Sequence, residues 1–268
     1  MIAPVIEVDD AALAERGFAI LPKVVPEAQL SELEDTLRDF CRGEMERRAI
    51  SPVARDPLID LFRSGDPYRE KLFPLLRNLR GLQAMAAAIG RALEDQGHFE
   101  RWGFRTPMVW PYLRADLPNE ERYLLPMHQD YASCHCRRAW RLWVPLRDAD
   151  RVSGTMKVVP GTHREGILPH DFSDPAYPGV PESEYRNRPV EELTVSAGDG
   201  VLFSPFLVHG SVTNRSDRVK LVMLVQIQDL STMFDPDDAS DEIGRQMRAI
   251  HAVRAAAEAT RNGIDGSS

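Results

Sequence analysis

Along the first hundred residues the apolar positions recur at helical spacing. After the short apolar run Phe18-Ala-Ile-Leu-Pro22, Pro26 opens a stretch in which Leu30, Leu33, Leu37, Phe40 and Cys41 fall on one face, as a helix with one buried side requires. Leu82, Met85, Ile89 and Leu93 repeat the spacing, and Gly97 supplies a stop. The part of the chain up to about residue 100 is therefore read as largely helical.

From Pro107 the period shortens. The runs Met108 to Leu113, Ala139 to Leu146, Thr155 to Val159, Leu193 to Val195 and Val201 to Val208 are separated by Pro, Gly, Asn and Asp, the punctuation of a β-rich core. In a last strand, Val219, Leu221, Met223, Val225 and Ile227 alternate with Arg218, Lys220, Val222, Leu224 and Gln226, which predicts that Arg218 and Lys220 share a face. After Asp229 a loop leads to a helical stretch near Glu242 to Ala259, and Gly263 to Ser268 reads as a frayed tail. Helices followed by many short strands imply a mainly β, α+β chain. The expected form is a cupin-like jelly roll at about 101–230, with N-terminal helices packed on it and a C-terminal helix at about 240–260. Such a double sheet has a mouth, where ligands sit.

Composition narrows the partners. A chain of 268 residues with 43% hydrophobic content supports one core, so residues 1–268 are read as a single domain. The net charge of −8 offers no basic face for phosphates, which argues against nucleic acid and for a small-molecule substrate. Three cysteines make no disulfide framework, the acidic start at Glu7, Asp9 and Asp10 is no secretory signal, and no apolar run reaches the length of a membrane span. A cytoplasmic protein without membrane contact is expected.

The strongest chemical feature is His128-Gln129-Asp130, because alternate residues of an extended segment present an imidazole and a carboxylate to one point. His209, after the apolar run Val201 to Val208, supplies a third donor. Two histidines and one carboxylate are the facial set of non-haem Fe(II) oxygenases, which leaves coordination positions open. A His-x-Asp tripeptide also arises by chance, so the surrounding residues matter.

Those residues resemble the phytanoyl-CoA dioxygenase family of 2-oxoglutarate-dependent oxygenases from Ala11 to about Gln228. The resemblance runs through Gly17-Phe-Ala-Ile-Leu-Pro22, Leu125-Pro-Met-His-Gln-Asp130, Trp143-Val-Pro-Leu146 and Val159-Pro-Gly-Thr-His163. It continues at Gly198-Asp-Gly-Val-Leu-Phe203 and at His209-Gly-Ser211 with Asn214 and Ser216. It implies a double-stranded β-helix with Fe(II) at its mouth, held by His128, Asp130 and His209. It also implies 2-oxoglutarate and O2 as cosubstrates, released as succinate and CO2, with hydroxylation of an unactivated C–H bond as the usual outcome. The carboxylate at Asp130 marks an oxygenase and not a halogenase of this type.

The family's cosubstrate anchor is an arginine eleven residues after the second histidine; here that position is Lys220, with an arginine at Arg218. Lysine is a point charge where arginine offers a planar fork. Two strand steps separate the two cations by roughly 6.8 Å, so either is a candidate anchor. Ser211 and Trp143 match positions that line the cosubstrate pocket, although a turn and a core role fit them equally. Tyr112 and Arg114 alternate on the preceding strand and could reach cosubstrate or substrate, and Gln129 is a further candidate contact for the substrate. Arg114, Arg137, Arg138 and Arg141 hint at an anionic substrate.

Cys134-His135-Cys136 could bind zinc, but four paired ligands are usual and a lid loop fits better. His98, His163, His170 and His251 read as ordinary hydrogen-bonded or exposed imidazoles. The competing class is a cupin-type jelly roll that acts as a metal-dependent isomerase or binds a small ligand without catalysis. It predicts no release of succinate.

Overall fold

A computed structural model describes residues 4–76, 78–171, 173 and 178–234, with the isolated positions 241, 245, 252 and 256. The helices are α1 (Asp10–Arg16), α2 (Glu27–Arg48), α3 (Pro57–Arg63), α4 (Asp66–Leu76), α5 (Arg80–Asp95) and α6 (His98–Arg101). The strands are β1 (Phe18–Leu21), β2 (Pro107–Asp116), β3 (Ala139–Pro145), β4 (Met156–Val159), β5 (Glu191–Glu192), β6 (Gly200–Phe203), β7 (Val208–Ser211) and β8 (Lys220–Asp229). The expected C-terminal helix, His251 included, falls outside the described residues except at 245, 252 and 256, which are helical.

The two long helices form where the spacing predicts. Helix α2 buries Leu30, Leu33, Leu37, Cys41 and Met45, while Asp35–Arg38 and Asp39–Arg42 pair along its exposed side. Helix α5 buries Leu82, Met85, Ala86, Ile89, Ala92 and Leu93. Gly97 follows it in the left-handed conformation at φ 72°, which costs glycine little. Each fully buried leucine or isoleucine contributes about 1.5–3 kcal/mol by leaving water.

The strands build two antiparallel sheets, one in the order β1-β6-β3-β8-β2 and the other in the order β5-β4-β7. Alternation sorts the large sheet. Leu113, Ala115, Leu142, Val144, Leu221, Met223, Val225 and Ile227 pack in one core with α2 and α5. The opposite face presents Val201, Phe203, Trp143, Val222 and Leu224 to Met156, Val158, Leu193 and Val195 on the small-sheet side, forming a second core. This is the jelly roll with helices covering the back of its larger sheet.

Three expected strands change shape. The run Val201 to Val208 is cut by a turn at Pro205 and Phe206, so β6 and β7 lie in different sheets. The run Leu193 to Val195 forms only an isolated bridge from Val195 to Ala149, and the strand beside it is Glu191–Glu192. The last strand starts at Lys220, because Asn214 draws residues 214–218 into a tight turn: its amide donates to the Arg218 carbonyl and its oxygen accepts from Ser216. Arg218 therefore precedes the strand and does not share the inward face with Lys220.

Candidate active site at the mouth of the jelly roll

The sequence places the first two donors on a strand; the fold provides something shorter. His128 makes a single antiparallel bridge to His209, with reciprocal backbone bonds of 2.7 and 3.0 Å, and a 3₁₀ turn begins at Asp130. Gln129 between them is extended, at φ −118° and ψ 141°, which suffices to turn the flanking side chains the same way. His209 lies inside β7, opposite Val158 of β4. The bridge thus brings two distant segments together, and donor atoms of His128, Asp130 and His209 lie within 4.8 Å of one another. This spacing could hold one metal ion.

Each donor is oriented from behind. The His128 Nδ1 faces the Pro126 carbonyl at 2.8 Å and the His209 Nδ1 faces the Leu207 carbonyl at 3.0 Å, leaving each Nε2 toward the carboxylate at 3.4 and 3.9 Å. A backbone acceptor on one ring nitrogen fixes the tautomer that offers the other nitrogen to a metal. Burial, and next the neighbouring His128, push the His209 pKa down to about 4. Burial alone would raise the Asp130 pKa, but the His128 hydrogen bond and the charges of His209 and Arg141 outweigh it and hold it well below the usual range. Neutral imidazole beside ionised carboxylate is the protonation state that binds divalent metals.

Gly210 lets these strands meet. A Cβ there would lie 2.8 Å from the Met127 sulfur and 3.1 Å from the Pro126 carbonyl oxygen. Gly210→Ala is expected to destabilise the chain by about 1–3 kcal/mol and to weaken metal binding by parting the bridge. Thermal unfolding with and without Fe(II) checks both effects.

The triad opens into a cavity of about 390 Å³. Its walls include Tyr112, Arg114, Trp143, Ser211, His128, Asp130 and His209 from the sequence reading. They also include Thr155 just before β4, Met156, Phe203 and Leu224 from the strands, and Arg69, Glu70 and Pro74 from α4, which the sequence reading missed. Thr155 sat in a strand run with no chemical signal, yet its hydroxyl is buried and has no hydrogen-bond partner. The register explains the grouping: Asp116 pairs with Lys220, Arg114 with Val222 and Tyr112 with Leu224, so these side chains share the inward face. Lys220 is buried and its Nζ meets Asp116 at 2.6 Å, while the Arg114 Nε donates to the same carboxylate at 2.9 Å. Burial alone would raise the Asp116 pKa, but the two cations outweigh it and hold it below its ordinary value.

Several expectations need correcting. Arg218 is half exposed and pairs with Glu34 of α2 at 3.4 Å, on the helical side of the molecule and outside this cavity. Gln129 is buried and does not line the cavity: its amide donates to the Gly166 and Phe206 carbonyls and its oxygen accepts from Leu168 N, so its side chain ties backbone segments together. Of the four arginines taken as a hint of an anionic substrate, only Arg114 lines the cavity; Arg137 pairs with Asp241, Arg138 with Asp229, and Arg141 lies behind Asp130. Cys134 and Cys136 are buried and join no metal-binding group among the described residues. Their loop is tied down where the His135 N–H donates to Gln228 and the His135 carbonyl accepts from Phe234 N. His98 and His163 bond to the carbonyls of Ile6 and Ala14.

A jelly roll with two imidazoles and one carboxylate converging at its mouth defines the architecture of the non-haem iron oxygenases. The chain belongs to the phytanoyl-CoA dioxygenase family, whose model matches residues 13–222, and this is a family of Fe(II)- and 2-oxoglutarate-dependent oxygenases. It is 34% identical over 226 residues to a probable phytanoyl-CoA dioxygenase of Caenorhabditis elegans, covering 76% of this chain and 69% of that one. It is 25% identical over 252 residues to the peroxisomal phytanoyl-CoA dioxygenase of Bos taurus, covering 90% and 73%. Among solved structures it resembles EvdO2 from Micromonospora carbonacea var. aurantiaca complexed with 2-oxoglutarate, with a TM-score of 0.54 at 19% identity over 88% of this chain and 98% of that one. It also resembles EctD from S. alaskensis, with a TM-score of 0.51 at 17% identity over 84% and 76%. Both likenesses concern the fold.

Proposed function

We propose that this chain hydroxylates an unactivated C–H bond of a small molecule, with Fe(II) held by His128, Asp130 and His209 and 2-oxoglutarate lying between that centre and Lys220. One observation carries this reading: the three donors stand at one part of a cavity whose wall elsewhere holds Arg114, the Asp116 carboxylate that Lys220 meets from behind, and an unpartnered hydroxyl. The donor set suits Fe(II), and the Thr155 hydroxyl, buried without a partner, suits a carboxylate acceptor inside the cavity. When bound, the iron couples O2-dependent splitting of 2-oxoglutarate into succinate and CO2 to oxygen insertion into the substrate.

The protein's share is grip and exclusion. Lys220 and Arg114 carry two positive charges against the single Asp116 carboxylate, leaving a surplus of one for an anion. Ser211 and Thr155 add hydroxyl donors, Tyr112 and Trp143 flank the cosubstrate, and Met156, Phe203 and Leu224 keep the centre dry. Arg69 is held by Glu120 through two bonds of 2.5 and 2.7 Å, so the outer wall adds no surplus cation and does not favour an anionic substrate. A relative named as a 1-deoxypentalenic acid 11-beta-hydroxylase from Streptomyces arenae, 29% identical over 123 residues, supports hydroxylation as the outcome. Among the described residues no helix is long and apolar enough to cross a membrane, and three free, buried thiols suit a reducing compartment such as the cytoplasm.

Purified protein given Fe(II), ascorbate and 2-oxoglutarate should release succinate, and His128→Ala should not. Iron-loaded protein that releases none with any substrate of a broad panel would instead be a cupin-type binder or isomerase. Lys220→Met should raise the KM for 2-oxoglutarate about 10- to 100-fold, the worth of a bond to a charged group, while Arg218→Ala leaves it unchanged. Equal effects of the two would remove Lys220 as the anchor.

A further inference from the structure

Arg141 of β3 is fully buried, and the cost of taking a guanidinium out of water is several kcal/mol unless its donors and charge are answered. Its Nη1 donates to Gln226 Oε1 at 2.7 Å, and its Nη2 to Ser133 Oγ at 2.8 Å and Cys134 Sγ at 3.2 Å. These partners are neutral: burial pushes the Cys134 thiol up to about 12, so it carries no charge. The Nε–H has no hydrogen-bond partner, and the one carboxylate within reach among the described residues is Asp130, whose Oδ2 is 3.4 Å away. Of the two oxygens of Asp130, Oδ1 lies 3.4 Å from His128 Nε2, while Oδ2 lies 3.4 Å from Arg141 Nε and 3.9 Å from His209 Nε2, so Arg141 is set against one oxygen of the pair.

We propose that Arg141 is a positioning residue for the metal site: it holds one oxygen of Asp130 so that the carboxylate offers the other to the ion. A carboxylate restrained in this way would offer one atom to the ion, leaving room for cosubstrate. The guanidinium is itself fixed from two sides, by Gln226 on β8 and by the turn Asp130–Ser133 that carries the carboxylate. The role rests on the metal-ligand set proposed above, and supporting residues of this kind are typically worth 10- to 100-fold in metal affinity.

The test compares Arg141→Gln and Arg141→Lys with the parent chain, using Fe(II) titrated without oxygen and, separately, the visible absorption of the Co(II) form, which reports coordination number. Arg141→Gln should bind Fe(II) about 10- to 100-fold more weakly and show an altered Co(II) spectrum, and Arg141→Lys, which keeps the charge, should recover part of both. A merely structural arginine would lower the unfolding temperature and leave affinity and spectrum alone. If Arg141→Gln does not fold, the double variant Ser133→Ala/Gln226→Met loosens the guanidinium without removing it and should show the same trend. A folded variant of either kind with Fe(II) affinity within twofold of the parent and an unchanged Co(II) spectrum overturns the role. A parent chain that binds no Fe(II) overturns the metal site itself, and this role with it.

Discussion

Alanine at His209 should eliminate tight Fe(II) binding and lower succinate release by at least about a thousandfold, because a metal centre contributes several kcal/mol that two remaining donors cannot retain. His209 is the donor that β7 brings to the His128–Asp130 segment, and it is almost fully buried. The loss should therefore follow from removing a ligand and not from exposing a surface. Chelator competition measures the iron and a succinate assay the turnover, each on protein shown by circular dichroism to be folded. His209→Ala that keeps Fe(II) at parental affinity would mean that the convergence of the three side chains has another purpose.

The second large effect concerns stability, far from the chemistry. Arg147 binds Glu34 of α2 at 2.5 Å, Asp56 at 2.5 Å and the Val219 carbonyl at 2.7 Å. Asp56 also caps α3 by accepting from Leu58 N and accepts from Val219 N, so one buried carboxylate joins a helix end to the chain entering β8. Burial opposes the charge on Arg147, but the hydrogen bonds and charges of Glu34 and Asp56 outweigh it and raise its pKa. Arg147→Met leaves Asp56 buried without its counter-ion and should cost about 3–5 kcal/mol. Arg38→Ala, which breaks an exposed pair with Asp35, should stay within about 0.5 kcal/mol. Urea unfolding of the two variants side by side decides this; similar small losses would mean that the Arg147 network is as weak as a surface pair.

By itself the sequence determined the elements whose signal is local. The spacing of Leu30, Leu33 and Leu37, and of Leu82, Met85 and Ile89, needed only helical periodicity, and the alternation from Leu221 to Ile227 needed only the pleat of a strand. The triad was legible for the same reason at His128 and Asp130, which one extended residue aligns, while His209 was read as the third donor from its place after the apolar run Val201 to Val208, a reading that the resemblance then strengthened. Short helices such as α3, α4 and α6 carry too few apolar repeats to announce themselves, so the α4 wall of the cavity was not foreseen. Which cation meets the cavity residue Asp116 was decided by the turn that Asn214 closes, since a turn breaks the alternation on which the equivalence of Arg218 and Lys220 depended. The partner of Arg141, the unpaired Thr155 hydroxyl and the backbone satisfaction of Gln129 were likewise decided by tertiary structure. Periodicity tells a side chain which face to take; only the packing of other segments against that face tells it what it will meet there.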